Sequence, residues 1–354
     1  MTHRKWGAAL TLDNYLGREV YLLTVPMAKD GGLTNWILTD SSLPPDERPI
    51  LSSCESLRKR AVTAAASADG EVVVVDGIAH GLGSVFTEEE FRGKGYASRM
   101  MREVGEALKG WQAEGGRSAL FSVLYSDIGK TFYARNGWAP FASSHVSFAP
   151  VALAGETGGA LAKAIGYHEL AELCSVDEGL VKRRVGESVG KAGGKRNAAA
   201  VMPNLEQMLW HMMREDYMTK HIFGKTPDVR GAVYGEKGRR IWAIWSRGYY
   251  GGLETIEGNT FHILRFVIED ENMAEGELVD GFRSIIEIAQ REAAEWRSQD
   301  IQMWNPGAMT RRLIDASGLE YRFVERDSDS IASLRWNGEG QLDDWVANEK
   351  FAWC

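Results

Sequence analysis

Apolar residues recur every three or four positions in several long segments of the chain, the spacing at which side chains share one face of a helix. In the first of these segments, which begins at Leu10, Thr11 or Asp13 is available to cap the first turn. We predict helices at 10–23, 98–112, 167–184, 205–223, 277–296 and 309–317.

Shorter runs rich in valine, isoleucine and aromatic residues lie between these helices and predict β-strands. The predicted strands are at 36–39, 50–53, 71–76, 84–87, 118–125, 231–234, 240–245, 260–269, 300–303, 320–325 and 331–336. Asp76-Gly77 is a residue pair typical of a two-residue hairpin turn. We therefore predict that the chain reverses there, between a strand at 72–75 and the strand at 84–87.

The order of these elements predicts two similar domains of α/β class. A strand, a glycine-rich loop, a helix, a strand and a second helix are complete by about residue 150, and a similar order without the loop resumes at Pro203. Between them, 151–202 is predicted to contain a helix and a flexible linker, with the lysine-, glycine- and alanine-rich tract 186–200 as its mobile part. The predicted domains are thus 1–150 and 203–354.

Composition and charge exclude several classes of protein. The chain of 354 residues has a formal net charge of −8, so it has no basic surplus to favour nucleic acid. Its three cysteines are scattered, without the spacing of a metal site or a disulfide framework. No stretch approaches the roughly 20 apolar residues of a membrane span. We predict a cytoplasmic protein without nucleic acid, membrane or metal, whose oligomeric state the sequence does not determine.

The segment Arg92-Gly93-Lys94-Gly95-Tyr96-Ala97 lies between a predicted strand and a predicted helix. At such a place, exposed backbone N–H groups and a helix N-terminus can hold a pyrophosphate, and glycines let the backbone approach it. The alternative is an ordinary surface turn before a helix. The two common nucleotide-binding loops are excluded, because the chain lacks Gly-x-x-x-x-Gly-Lys-Ser/Thr and no Gly-x-Gly-x-x-Gly follows a strand.

This segment resembles the pyrophosphate loop of the GCN5-related N-acetyltransferase (GNAT) superfamily, Gln/Arg-x-x-Gly-x-Gly/Ala, at Arg92, Gly95 and Ala97. Further along, 132–138 resembles the end of a second GNAT motif, although Ser126 and Gly129 stand where Asn and Ala are usual. The resemblance implies that Tyr133 protonates the departing CoA thiolate. It also implies an acetyl-CoA site formed by Val85, Phe86, Thr87, Arg92, Gly93, Lys94, Gly95, Tyr96, Ala97 and Ser126.

The segments 84–111, 122–129 and 242–252 are similar to the fungal lysine N6-acetyltransferases of lysine catabolism. This resemblance implies a GNAT fold with a mixed, mostly antiparallel sheet, acetyl-CoA as the donor and free lysine as the acceptor. The chain begins almost at its first helix, so the first strand of the fold is expected to be missing or supplied differently. The second half offers only Gly276 and Gly281 in the acidic stretch 273–282, which predicts a GNAT-like domain without a cofactor loop.

Acetyl transfer to lysine needs a proton acceptor, because an amine with a pKa near 10.4 is neutral in only about one molecule in a thousand at pH 7.4. Candidate bases are Glu55, His80 and the acidic run 88–90, each of which can equally be an ordinary paired, strand or surface residue. Arg247 is predicted to bind a substrate carboxylate, with core packing as the alternative. Acetylation of a protein or polyamine, and acetyl-CoA binding without catalysis, remain open.

Overall fold

The computed structural model describes residues 3–113, 115, 118–152, 161–191 and 197–353. No helix in these ranges combines the length and the apolar character that a membrane span requires. The helices are α1 (His3–Trp6), α2 (Leu12–Leu22), α3 (Tyr96–Ala107), α4 (Thr131–Ala134), α5 (Tyr167–Lys191), α6 (Leu205–Phe223), α7 (Glu275–Glu295) and α8 (Ala308–Ala316).

The strands form two mixed sheets, which we call sheet A and sheet B. Sheet A has the order β15-β8-β2-β3-β4-β14-β5, with β1 also paired to β2, and sheet B has the order β13-β6-β12-β11-β10-β9-β7. The strands are β1 (Leu33–Leu38), β2 (Ser52–Ala66), β3 (Val72–Phe86), β4 (Ala119–Ser126), β5 (Ala139–Pro140), β6 (Ser144–Phe148), β7 (Lys163–Ile165), β8 (Asn197–Val201), β9 (Gly231–Tyr234), β10 (Ile241–Tyr249), β11 (Asn259–Ile268), β12 (Asp300–Trp304), β13 (Arg322–Glu325), β14 (Ile331–Trp336) and β15 (Leu342–Trp345).

The two sheets do not follow the predicted division of the chain at residue 150. β8, β14 and β15 come from later in the sequence, yet all three lie in sheet A beside strands of the first 150 residues. Conversely, β6 precedes residue 150 but pairs with β12 and β13 in sheet B. Each half of the chain therefore completes the other half's sheet. The α/β class and the mixed sheets are confirmed.

The sheets share one hydrophobic core, which α5 and α6 fill. Phe121 of sheet A and Trp242 of sheet B belong to the same cluster of buried side chains as Leu173 of α5 and Met212 of α6. A second cluster packs α7 and α8 on sheet B, and a third packs α3 on sheet A. The shared core holds the C-terminal half of the chain against the sheet that carries the glycine loop.

The predicted mobile linker at 186–200 is wrong wherever the structure describes that tract. Helix α5 continues to Lys191, and β8 begins at Asn197, while 192–196 lie outside the described residues. The glycines and alanines are packing residues: a Cβ on Gly186 would lie 3.3 Å from Val74, and Ala198–Ala200 are fully buried in sheet A. Small side chains let a helix and a sheet approach closely, a pattern that composition alone does not distinguish from a linker.

The predicted hairpin turn at Asp76-Gly77 is also wrong. β3 runs without interruption from Val72 to Phe86, and the chain reverses earlier, between Ser67 and Glu71, where Gly70 has a φ of +82°. Gly77 is a glycine for a different reason, because a Cβ there would lie 2.6 Å from the Ser118 carbonyl oxygen. The result is a 15-residue strand β3 that reaches from the hairpin to the glycine loop.

Candidate active site

The glycine loop connects the end of β3 to the N-terminus of α3. Gly93 and Gly95 have φ values of +75° and +81°, in the left-handed region that favours glycine. A Cβ on either residue would meet no atom within 4 Å, so open space lies in front of the loop. Gly95 is also the N-cap of α3 and provides no side-chain cap, which leaves the first N–H groups of the helix available to an anion.

Two basic side chains lie on this loop. Arg92 donates from Nε to the Thr87 carbonyl oxygen at 3.1 Å, and its guanidinium lies 5.9 Å from the ring of Phe86. The Lys94 Nζ lies 5.5 Å from the ring of Phe91. Both basic residues are exposed, so they place positive charge beside the open helix terminus. This combination fits a pyrophosphate group.

The parallel strands β3 and β4 separate just before the loop. Their register runs from Ile78 and Ala119 to Leu82 and Leu124 and ends there, although β3 continues to Phe86. On its other edge, β3 remains paired with β2, with a register shift opposite Ser84, whose φ is +52°. The backbone groups of the last residues of β3 thus border a gap in the sheet. An extended chain with amide groups, such as pantetheine, can form strand-like hydrogen bonds in such a gap.

A cavity of about 770 Å³ opens from this gap and is lined by residues from both halves of the chain. Val85, Thr87 and Ala97 lie at the end near the glycine loop, and the carboxylates in its lining are Glu19, Glu55 and Asp127. The cations that line it are Lys5, Arg18 and Arg214. The C-terminal half contributes Trp210, Arg214, Tyr250 and Trp353. The cavity can therefore bind a charged molecule next to the gap.

Of the candidate bases, Glu55 is the one that lines this cavity. The Ser84 hydroxyl donates to Glu55 Oε2 at 2.9 Å. Burial raises the pKa of Glu55, and the charge of Glu19 raises that pKa further, while the hydrogen bond from Ser84 and the charge of Arg18 oppose the rise. Glu55 therefore binds a proton more readily than an ordinary carboxylate, as a general base for an amine requires.

The other candidate bases lie elsewhere. His80 is fully buried, and its Nε2 lies 3.3 Å from the Gln112 side-chain oxygen. Burial lowers the pKa of His80 to about 4, so the ring is neutral at physiological pH. The acidic run 88–90 is exposed and does not contribute to the cavity lining.

Tyr133 lines the cavity from α4, within the cluster that packs α3 on sheet A. Burial raises the pKa of Tyr133, and the nearby charge of Asp127 raises it further. Its hydroxyl is therefore protonated at neutral pH and can donate a hydrogen bond into the cavity. The adjacent Cys54 is a neutral thiol, because burial raises its pKa to about 12.

The side chains of Ser126 and Arg247, both predicted to bind a ligand, are turned to internal partners instead. The Ser126 hydroxyl donates to the Gly129 carbonyl oxygen at 2.7 Å and accepts from the Ile128 N–H at 3.2 Å, so it closes a turn after β4. Arg247 has no exposed side-chain surface and forms ion pairs with Glu215 and Glu292. The predictions that Ser126 contacts a cofactor and that Arg247 contacts a substrate are therefore corrected: both side chains satisfy internal partners.

Sequence reasoning missed the residues of the cavity's far end, although a signal was present. Arg18 lies between Tyr15 and Leu22 on the buried stripe of α2, and Arg214 lies between Trp210 and Met218 on the buried stripe of α6. A charged residue on an apolar helix face is unusual unless it has a partner or a ligand. Of the aromatic block 242–252, only Tyr250 lines the cavity.

Comparison with known proteins shows that most of the C-terminal part of the chain matches a known family. Residues 145–354 match the family described as LYC1 GNAT-like C-terminal domain, which covers more than half of the chain. A lysine acetyltransferase of Yarrowia lipolytica is 23% identical over 286 residues, which are 70% of this chain and 68% of that protein. An uncharacterised protein of Saccharomyces cerevisiae is 20% identical over 99% of this chain and 92% of its own length.

Among solved structures, a probable N-acyltransferase from Enterococcus faecalis V583 is similar over 92% of this chain and 70% of that chain. The two sequences are 11% identical, and the TM-score is 0.45.

Proposed function

The chain belongs to the LYC1 GNAT-like family and is an acetyltransferase of the GNAT type, and on this premise we propose that it acetylates the side-chain amine of free lysine. The observation that carries the proposal is one cavity that extends to the glycine-loop end of the gap. Its lining includes Glu55, Tyr133 and charged residues from both halves of the chain. The name of the Yarrowia lipolytica relative supports lysine as the acceptor.

Acetyl-CoA would be held by the glycine loop and the gap in sheet A. The N–H groups at the start of α3, with Arg92 and Lys94, suit its pyrophosphate, and the last residues of β3 suit its pantetheine arm. Acetyl-CoA supplies the acetyl group, whose carbonyl carbon gains a bond to the amine nitrogen and loses its bond to sulfur. N–H groups at 85–87 are suited to polarise that carbonyl.

Glu55 and Tyr133 would move the two protons of this reaction. At pH 7.4 a free lysine side chain is protonated, and removing its proton costs roughly 4 kcal/mol. Glu55 is suited to take that proton, because burial makes its carboxylate a stronger base. Tyr133 holds a proton at its hydroxyl and is suited to give it, or a hydrogen bond, to the leaving thiolate.

An acceptor screen tests the proposed function. The full chain is incubated with acetyl-CoA and free amino acids, polyamines or lysine peptides, and release of free thiol is measured with the acetylated product identified by mass spectrometry. We expect N6-acetyllysine as the main product. Faster acetylation of peptides or polyamines than of lysine would contradict the acceptor, and no thiol release with any amine would contradict the activity.

Substitution of Tyr133 by phenylalanine is expected to lower kcat about ten- to a thousand-fold while the acetyl-CoA affinity stays unchanged. The variant keeps the ring in its cluster and removes the hydroxyl, for which none of the described residues provides a hydrogen-bond partner. Stability should therefore hardly change. Steady-state kinetics and thermal melting check both points, and wild-type turnover would reduce Tyr133 to a core-packing residue.

Substitution of Gly95 by tryptophan is expected to abolish acetyl-CoA binding, because a bulky side chain would occupy the open space in front of the loop. Gly70 offers a matched control, since its φ of +82° is nearly that of Gly95 and a Cβ there also meets no atom within 4 Å. Gly70→Trp carries the same backbone strain in the β2–β3 turn. Calorimetric titration with acetyl-CoA should separate the two variants, and equal affinities would refute the loop assignment.

A further inference from the structure

Arg214 differs from four fully buried arginines of the protein. Arg18, Arg230, Arg247 and Arg265 each form an ion pair with a carboxylate. Arg214 has no carboxylate within ion-pair distance among the residues that the structure describes, although it is half-buried on α6. Its guanidinium lies in the wall of the cavity, 5.9 Å from the ring of Trp353 and beside Tyr250. A half-buried guanidinium that lines a cavity and has no carboxylate partner can bind an anionic ligand.

The wall of the cavity carries charged groups of both signs. Arg18 donates twice to Oε1 of Glu19, at 2.9 and 2.6 Å, which holds this pair in the wall formed by α2. The Arg18–Glu19 pair acts electrostatically on Glu55 and also on Arg214. It therefore lies near both of them. The lining of the cavity thus contains the carboxylates of Glu55 and Glu19 and the guanidinium of Arg214.

Free lysine carries charges complementary to these three groups. Its side-chain amine would face Glu55, its α-ammonium would face Glu19, and its α-carboxylate would face Arg214. Only Oε1 of Glu19 accepts a hydrogen bond from the described part of the chain, so Oε2 is available to an ammonium group. A polyamine has no group for Arg214, and a lysine within a peptide has neither a free α-ammonium nor a free carboxylate.

We propose that Arg214 binds the α-carboxylate of the acceptor, and that the enzyme therefore selects a free diamino acid over a polyamine or a peptide-bound lysine. Binding would place both carboxylate oxygens against the fork of the guanidinium, a geometry that lysine or glutamine at position 214 would not reproduce. Arg214 is thus a specificity-determining residue contributed by the C-terminal half. This inference rests on the proposed amine acetylation.

The test compares L-lysine with cadaverine, which is lysine without its carboxylate, and with L-lysine amide, whose carboxamide is neutral. The wild-type chain should have a kcat/KM for lysine about 100-fold or more above those of the other two amines. Arg214→Met should lower kcat/KM for lysine by a similar factor, mainly by raising KM. The same variant should change kcat/KM for cadaverine less than threefold. The KM for acetyl-CoA should not move.

Two further variants complete the test. Lys220→Met removes an exposed cation from the same helix and should leave lysine kinetics unchanged. Arg214→Lys keeps the charge and should restore part of the lost lysine efficiency. If thermal melting shows that Arg214→Met does not fold, two measurements still test the proposal. They are the lysine kinetics of Arg214→Lys and the kinetics of the wild-type chain with the three amines.

Equal losses on lysine and cadaverine in Arg214→Met would overturn the assignment of Arg214. Wild-type turnover of cadaverine as efficient as that of lysine would overturn carboxylate recognition, while amine acetylation would stand. The absence of thiol release with all three amines would instead refute the proposed function itself.

Discussion

Substitution of Glu55 by glutamine is expected to lower kcat/KM for the amine acceptor about 10²- to 10⁴-fold at pH 7, the range for loss of a general base. Glutamine keeps the size of the side chain and an oxygen that can accept from the Ser84 hydroxyl, so the wall of the cavity should remain intact. The exposed Glu90 in the loop before Arg92 provides a control, and Glu90→Gln should leave the rate unchanged.

The pH profile gives this prediction a second readout. Burial raises the pKa of Glu55, so the wild-type rate should fall as the pH drops through that raised value and Glu55 becomes protonated. Above it, the rate should form a plateau that extends toward the pKa of the amine, about 10.4. In Glu55→Gln only the neutral amine reacts, so log kcat/KM should rise by about one for each pH unit up to that value. A variant that keeps the wild-type plateau would exclude Glu55 as the base.

Substitution of Arg247 by alanine is expected to lower the free energy of unfolding by about 3–5 kcal/mol, the usual effect of removing one partner from a buried ion pair. Arg247 Nη1 lies 2.9 Å from Glu215 Oε1, and the side chains of both residues have no exposed surface. Arg247 also pairs with Glu292. Burial raises the pKa of Glu292, and the positive charge of Arg247 opposes that rise. Without the guanidinium, Glu292 would lose its buried counter-ion.

A matched arginine on α7 controls for the loss of charge. Arg283 pairs with Glu287 at 3.0 Å, but its side chain is 57% exposed, so Arg283→Ala should change the free energy of unfolding by only about 0.5 kcal/mol. Denaturant unfolding of the two variants measures the difference. The KM for lysine should stay unchanged in folded Arg247→Ala. A variant as stable as the wild type but with a raised lysine KM would return Arg247 to the acceptor site.

Because the two halves of the chain exchange strands, the C-terminal half also helps to build the cavity. β14 pairs with β4 in register from Ile331–Ser126 to Trp336–Phe121, directly beside the strand that leads to Tyr133. α6 and Trp353 bring Arg214 and an aromatic wall to the same cavity. The C-terminal half thus supports the strand beside Tyr133 and also contributes side chains to the wall of the cavity.

The sequence alone determined the elements that depend on neighbouring residues. The helix at 205–223 and the strands at 231–234 and 331–336 have the predicted bounds, because apolar periodicity is a property of consecutive positions. Of the two predicted caps of α2, Thr11 is the one that the structure shows, accepting from the Asn14 N–H at 3.3 Å. The glycine loop lies between a strand and a helix for the same local reason, since Gly93 and Gly95 need their left-handed φ values whatever surrounds them.

Only the tertiary structure decided which strands share a sheet and which charged residues line the cavity. Ala332 pairs with Tyr125, and Ala199 pairs with Thr63, across more than 100 residues of chain, and no local pattern specifies such partners. Arg247 and Arg214 each lie within four residues of at least two aromatic residues in the sequence. Two buried carboxylates neutralise the first, while the second lies at the wall of a cavity without a counter-ion among the described residues. That difference arises from partners supplied by other elements, because the charge environment of a buried side chain depends on everything that packs around it in the fold.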